Sequence, residues 1–311
     1  MKRFVIALVL VLALVFSLTA CGSGKKQPSS DKFSIYLITM DQIDGHWLKV
    51  DEGCKKAVSE IGADKIEYIF DAPEHKETNA QIEKINNAAA AGADLILLAA
   101  SDPYATVNAI KAANTLGVEF LYVDSPADWD GALQTIATDN KAAGFMAGEE
   151  MLAGLAEAGI TEGKIGIVNV NQATTSCVNR EEGFREALDG KGFEILETHY
   201  CDGDQEKAKD LANAYIADGV VGIFGTNEGG TIGTGNAIKE SGLNVIGVGF
   251  DTPDSVAVLV KEGALRCAMA QDPFNMGYLG IKAAYDYLAN DVAPSPDFYN
   301  SGAVAMGKDD F

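Results

Sequence analysis

From residue 33 to residue 271, short apolar runs alternate with longer stretches whose apolar residues recur every three or four positions. The first kind reads as strand and the second as helix. Strands are predicted at Phe33–Thr39, Ile66–Phe70, Asp94–Ala99, Glu119–Val123 and Leu133–Thr138. A second series follows at Lys164–Asn169, Phe193–His199, Val220–Gly225, Val245–Phe250 and Leu265–Gln271. Most of these runs do not alternate strictly. The Ile-Leu-Leu within Asp94–Ala99 and the Val-Val-Gly-Ile-Phe that begins at Val220 are apolar on both faces, as strands of helix-covered parallel sheets are.

The intervening segments carry the helical period. In the first, Val50, Cys54, Ala57, Val58 and Ile61 line one face, and Gly62 stops it. Further helices are predicted at Lys76–Ala91, Tyr104–Leu116, Lys141–Ala158, Ser176–Leu188, Gln205–Asp218, Gly229–Ser241 and Asn275–Leu288. Gly92, Gly117, Gly159 and Gly242 follow helices, where a left-handed terminating residue belongs. Repeated strand–helix units predict an α/β fold with two similar doubly wound parallel-sheet lobes. The expected first lobe is 33–138 plus 272–294 and the second 139–271 plus 295–311. The chain then crosses between lobes three times, near Thr138–Asn140, near Gln271 and after the last helix, which makes a three-strand hinge.

The chain start carries a different pattern. Lys2 and Arg3 precede an apolar run from Phe4 to Phe16 that closes at Leu18-Thr19-Ala20-Cys21. A basic, apolar, small-residue succession of this length reads as a secretory signal over 1–20, short for a membrane span. Leu18, Ala20 and Cys21 also resemble a bacterial lipobox. That resemblance implies diacylation of the Cys21 thiol, palmitate-type anchoring to the cell membrane on its extracytoplasmic face, and cleavage before Cys21. Residues 21–32 contain no large apolar side chain after Cys21 and read as a flexible spacer.

The chain has 311 residues, and a body of this length exceeds one ordinary core. Its formal charge is −21, and −23 without Lys2 and Arg3, which reads as solubility and should repel nucleic acid and anionic lipid. Cys54, Cys177, Cys201 and Cys267 are far apart, with no CxxC spacing, so zinc is not expected. Cys54 on an apolar helix face reads as a buried thiol.

In open parallel sheets, ligands bind beyond the carboxyl ends of the strands. After the first strand lie Asp41, Asp44, His46 and Trp47, and after the fourth lies Asp124. Thr226, Asn227 and Glu228 follow Val220–Gly225, Asp251 follows Val245–Phe250, Gln271 ends the last strand, and Arg180 sits early in the helix after Lys164–Asn169. Carboxylates and amides hold paired hydroxyls, Arg forks to oxygens, and an indole packs on the C–H face of a sugar ring. Taken singly, the Asp and Asn residues also read as helix caps, Trp47 as core, and Arg180 as a surface partner of Glu181 or Glu182.

The order NAIKAAN (108–114), IATDN (136–140), REEGF (180–184), TNEG (226–229), VGFDTPD (248–254) and AMAQ (268–271) resembles the ribose/galactose group of type 1 periplasmic binding proteins, the solute receptors of ABC importers. The resemblance covers nearly all of residues 33–307. It implies a monomer, without cofactor or catalytic residues and with no metal in the binding site, that binds a small polar solute, a monosaccharide, and delivers it to the importer's permease; a structural metal ion stays open. It assigns ligand binding to Asp44, His46, Trp47, Asp124, Arg180, Asn227, Asp251 and Gln271, with Trp47 stacking on the sugar. Three positions depart from ribose receptors. Ala99 stands for an Asn, Ser125 for an Arg, and Gly203 for a frequent aromatic. The class of ligand is implied and its identity is not. A nucleoside or furanose signal, and a sensor feeding chemotaxis, stay open.

Two other classes fail on the residues. A Rossmann enzyme would need GxGxxG directly after a strand, whereas the glycines here run Gly229, Gly230, Gly233 and Gly235. His46, His75 and His199 have no triad or metal spacing. A repressor of the related DNA-binding group would need a helix-turn-helix and a basic face.

Overall fold

The computed structural model describes residues 32–172 and 174–311. The expected signal, Cys21 and the spacer up to residue 31 lie outside the described residues. Among the described residues, no helix is long and apolar enough to cross a membrane.

The first lobe alternates β1 (Phe33–Ile38), α1 (Gly45–Ile61), β2 (Ile66–Phe70), α2 (Thr78–Ala91), β3 (Leu95–Leu98), α3 (Val107–Thr115), β4 (Glu119–Val123) and β5 (Thr135–Ala137). The second contains α4 (Asn140–Glu157), β6 (Gly163–Asn169), α5 (Thr175–Leu188), β7 (Phe193–Ile195), β8 (His199–Tyr200) and α6 (Gln205–Ala217). It continues through β9 (Gly222–Gly225), α7 (Glu228–Ser241), β10 (Ile246–Phe250), α8 (Asp254–Lys261) and β11 (Cys267–Gln271). The chain ends with α9 (Pro273–Asn290), β12 (Phe298–Asn300) and β13 (Ala303–Met306). The first sheet is ordered β12-β5-β4-β3-β1-β2 and the second β13-β11-β10-β9-β6-β7, so the two cores repeat one doubly wound order.

Why both faces are apolar is visible in the register. Ile35, Leu37, Leu95, Leu97, Leu121 and Val123 face a core closed by α1 and α9. Their neighbours Tyr36, Ile38, Ile96, Leu98, Phe120 and Tyr122 face the opposite core under α2 and α3. The second sheet is likewise sandwiched, with Ile165, Ile167, Phe224, Val248 and Met269 against α4 and α5, and Val168 and Ile223 against α6 and α7. Cys54, Cys177, Cys201 and Cys267 are all buried free thiols.

Three expectations are corrected. The tail was expected in the second lobe from residue 295. Instead, β12 first adds to the first sheet, parallel to β5, and only β13 joins the second, antiparallel to β11. The crossing therefore falls at residues 301–302. The strand expected over Phe193–His199 is split into β7 and β8. Helix α8 was not foreseen, because its Val-Ala-Val-Leu-Val is too short and too β-branched to show a helical stripe.

Candidate functional site

The carboxyl ends of both sheets carry the candidate residues, and the two sets face each other. On the first lobe, Asp41 is buried behind β1. Its Oδ1 accepts from the N–H groups of Ile43 and Asp44, at 2.9 and 2.7 Å, which shapes the turn into α1. Asp44 caps α1, accepting from the His46 N–H at 3.0 Å, and pairs with Lys76 Nζ at 3.0 Å. Burial opposes its charge, but that N–H and Lys76 together hold its carboxyl below the usual range. The turn after β3 is held from within by Gln81, fully buried. It donates to the carbonyls of Thr39 and Ala99 and accepts from the N–H and the hydroxyl of Ser101.

Asp124 and Asp251 occupy equivalent places. Each follows the fourth core strand of its lobe with φ near +60° (62° and 65°), and each donates its N–H to the next strand, to Ile136 and Met269 carbonyls at 2.9 Å. A left-handed aspartate is costly and concentrates at functional positions. Asp124 Oδ2 lies 3.3 Å from His46 Nε2, close enough for an ion pair although the N–H is not aimed as a hydrogen bond. Burial disfavours the charged imidazole. The carboxylates of Asp124, Asp251 and Asp44 outweigh it and hold the His46 pKa above the ordinary histidine value. Burial likewise disfavours the Asp124 carboxylate, and His46 and Arg180 outweigh it to hold its pKa low.

On the second lobe, Arg180 is 4 % exposed. Its Nε donates to Asn140 Oδ1 and its Nη1 to the Thr226 carbonyl, both at 2.9 Å, and its guanidinium lies 4.0 Å from the Phe250 ring centroid. It does not pair with Glu181 or Glu182, which bind Arg185 and Lys141 instead. Thr226 is positioned by its hydroxyl on Asn169 Oδ1 at 2.9 Å. Asn227 caps α7 through the Gly230 N–H at 3.0 Å. Asp251 accepts from Gln271 Nε2 at 2.7 Å and from the Glu228 N–H at 3.1 Å.

Trp47 and His46 lie side by side but in different surroundings. Trp47 is 4 % exposed and packs in the core under α1, its ring edge-on to His46 with centroids 4.7 Å apart. His46, one residue earlier on the helix, is the ring that meets the carboxylates. At the three departures, Ala99 is fully buried, Ser125 accepts from the Ala100 N–H at 2.8 Å, and Gly203 takes φ +79°. A Cβ at Gly203 would lie 3.8 Å from Asn227 Nδ2.

Lys76 and Glu228 were not assigned to the site and belong beside it. Burial, Asp251 and Asp44 push the Glu228 carboxyl above its usual range. Burial opposes the Lys76 ammonium, but Asp44, Asp41 and Glu228 outweigh it and raise its pKa. Asp44 and Lys76 are on one lobe and Glu228 on the other, so these charges act between lobes. Lys76 lies beyond the carboxyl end of β2, so the strand-end rule would have found it had the loop after that strand been searched.

Six buried side-chain polar atoms among the described residues have no hydrogen-bond partner, and three belong to candidate residues: His46 Nε2, Trp47 Nε1 and Gln271 Oε1. Orphaned buried polar atoms are rare, and half of those found here lie on candidate residues. A surface depression of about 300 Å³ lined by Asn244, Gly247, Leu265 and Lys308 lies elsewhere and touches none of the candidate residues.

Residues 35–291 match the family model described as periplasmic binding protein domain. The chain is 26% identical to the ribose import binding protein of Haemophilus influenzae over 88% of this chain and 90% of that protein. It is 25% identical to that of Bacillus subtilis over 93% and 94%. Among solved structures, an Agrobacterium vitis ABC transporter solute binding protein bound with alpha-D-tagatopyranose matches with a TM-score of 0.81. That structure is 27% identical and the match covers 89% of this chain and 95% of that one. A carbohydrate transporter solute binding protein from Agrobacterium radiobacter, in complex with D-arabinose, matches with a TM-score of 0.79 at 27% identity, covering 90% and 96%.

Proposed function

This chain belongs to the periplasmic binding protein family, and from that premise we propose that it encloses a monosaccharide between its two lobes and delivers it to an ABC importer. The observation that carries the reading is the convergence of His46 and Asp124 of one lobe with Arg180 and Asp251 of the other at the strand ends, where the buried Oε1 of Gln271 has no partner. Asp44, Asp124, Asp251 and Gln271 supply acceptors for sugar hydroxyls, while Arg180, His46 and Asn227 supply donors. The imidazole of His46, rather than the Trp47 indole, meets the ring. Relatives named for ribose, and structures holding tagatopyranose and D-arabinose, support a sugar. The alanine, serine and glycine at 99, 125 and 203 favour a monosaccharide other than ribose.

A ligand gripped by both lobes binds the closed arrangement better and shifts the population toward it. The importer then reads closure. The same reading makes the protein a binder that releases its ligand unchanged, a monomer, and a lipoprotein held at the membrane through Cys21. The test is a thermal-shift panel of aldoses, ketoses, polyols and nucleosides, followed by solution scattering with the best candidate. A saturating sugar raises the melting temperature, because binding at 100-fold over Kd stabilises by about 2.7 kcal/mol, and lowers the radius of gyration. A nucleoside as the sole binder, or saturation without compaction, overturns the reading.

A further inference from the structure

Each crossing between the lobes is bonded to the site or to another crossing. Gln271, at the crossing into α9, donates to Asp251 at 2.7 Å. Ser301, at the crossing between β12 and β13, donates its N–H to the Ala137 carbonyl at 2.9 Å, and Asn300 Oδ1 accepts from the Asp139 N–H at 3.0 Å. Those two crossings therefore move as one. Among the described residues, the crossing at 138–139 is linked to the site by the side chain of Asn140. Its Oδ1 accepts from Arg180 Nε at 2.9 Å, and its Nδ2 donates to the Thr138 carbonyl at 3.1 Å.

Backbone packing keeps this link short. A Cβ at Gly144 would stand 2.0 Å from the Arg180 carbonyl oxygen, and one at Gly183 would stand 1.9 Å from that of Lys141. Helices α4 and α5 thus touch backbone to backbone within the first turns after Asn140 and Arg180. A side chain longer than Asn would not fit the span without moving the arginine.

We propose that Asn140 is a positioning residue that holds the Arg180 guanidinium against the first lobe-to-lobe crossing, so that the arginine's grip on ligand and the hinge conformation are set together. This rests on the sugar-receptor reading for its ligand arm but not for its ligand-free arm. Asn140 touches ligand nowhere in the scheme; it acts through Arg180 and Thr138. Asn140→Ala cuts both links. Asn140→Asp keeps the acceptor for Arg180 and removes only the donor to Thr138.

The experiment measures the radius of gyration of the ligand-free protein, and binding of D-tagatose, D-arabinose and D-allose by calorimetry, for wild type, N140A, N140D, R180A and N140A/R180A. N140A weakens binding of whichever sugar wild type takes by about tenfold, the effect of one hydrogen bond to a charged group. N140D restores it to within about threefold of wild type, as expected when the charge-assisted bond to Arg180 is retained. Both variants change the ligand-free radius of gyration, because both lose the link to Thr138. In the R180A background, N140A changes it no further. An N140A effect of equal size with and without Arg180 overturns the proposal, as does an N140D variant that binds no better than N140A. Should N140A fail to fold, N140D against wild type still decides the hinge link: unchanged scattering refutes it. Should wild type bind none of the three sugars, the receptor reading is what suffers, and the ligand-free comparison still judges Asn140.

Discussion

Arg180 carries the sharpest prediction. Replacing it with alanine removes the donors to Asn140 Oδ1 and to the Thr226 carbonyl and takes the cation off Phe250. Thr226 is fully buried, so its carbonyl keeps only the weak Cys177 thiol donor at 3.8 Å, at a cost of roughly 1–3 kcal/mol, whereas Asn140 is half-buried and recovers water. The lost ring contact adds about 0.5–2 kcal/mol. Ligand-free R180A should therefore be about 1.5–5 kcal/mol less stable in urea. Ligand oxygens left without their donor should cost a further 2–4 kcal/mol or so of binding, roughly 30- to 1000-fold in Kd. Arg180→Lys separates the two effects. A lysine keeps a charge and covers Phe250, but its single ammonium does not reproduce the planar fork. R180K should recover more than half of the lost stability and remain at least tenfold weaker in calorimetric titration, since about 1.4 kcal/mol of lost fork geometry is tenfold in Kd. An R180K protein that binds like wild type, or an R180A protein that is destabilised but binds normally, would show that the arginine serves the fold alone.

Further outcomes follow from the other side chains. Asp251→Asn swaps an acceptor for a donor opposite Gln271 Nε2, so it should weaken a hydroxylated ligand about tenfold or more, and deoxy analogues lacking the contacted hydroxyl should lose least; uniform loss across analogues would make Asp251 a structural brace only. His46 binds its proton more tightly in the folded protein than the ordinary value of 6.5. Its contribution is thus fully present below that pH and is lost as pH rises through the raised folded value. The melting temperature of wild type should fall across that window and His46→Gln should flatten the fall; parallel curves would exclude His46 as the titrating group. Cys21→Ala should move the protein from membrane to soluble fractions with unchanged ligand affinity. Continued membrane partitioning with fatty-acid label would refute the anchor.

Much of the architecture could be read before any coordinates, because strands buried on both faces leave an unmistakable composition, as Leu95–Leu98 does with every residue buried. The strand-end rule likewise led to Asp124 and Asp251 without any knowledge of their left-handed backbones. What the linear pattern hid was orientation. His46 and Trp47 are adjacent in sequence yet about 100° apart around a helix, and only packing decides that the indole enters the core while the imidazole meets the acids. Arg180 sits next to Glu181 and Glu182, but neighbours on a helix do not face each other, so its partners are Asn140 and Thr226, 40 and 46 residues away. The strand exchange of β12 and β13 was hidden for a different reason: an exposed edge strand of three residues and a half-buried one of four carry almost no burial signal.

The four buried thiols have a practical consequence. Burial drives the pKa of Cys54 and of Cys267 up to about 12 and raises those of Cys177 and Cys201, so at neutral pH all four stay protonated as well as shielded. Thiolate is the species that alkylating dyes attack, and native protein trimmed to residues 32–311 should be inert to maleimide. A cysteine introduced at the exposed Ile43, next to Asp44 at the rim of the cleft, would then be the single point of attachment for a fluorophore. Lobe closure of the kind proposed would alter the surroundings of a dye beside Asp44, and its intensity would then read sugar concentration.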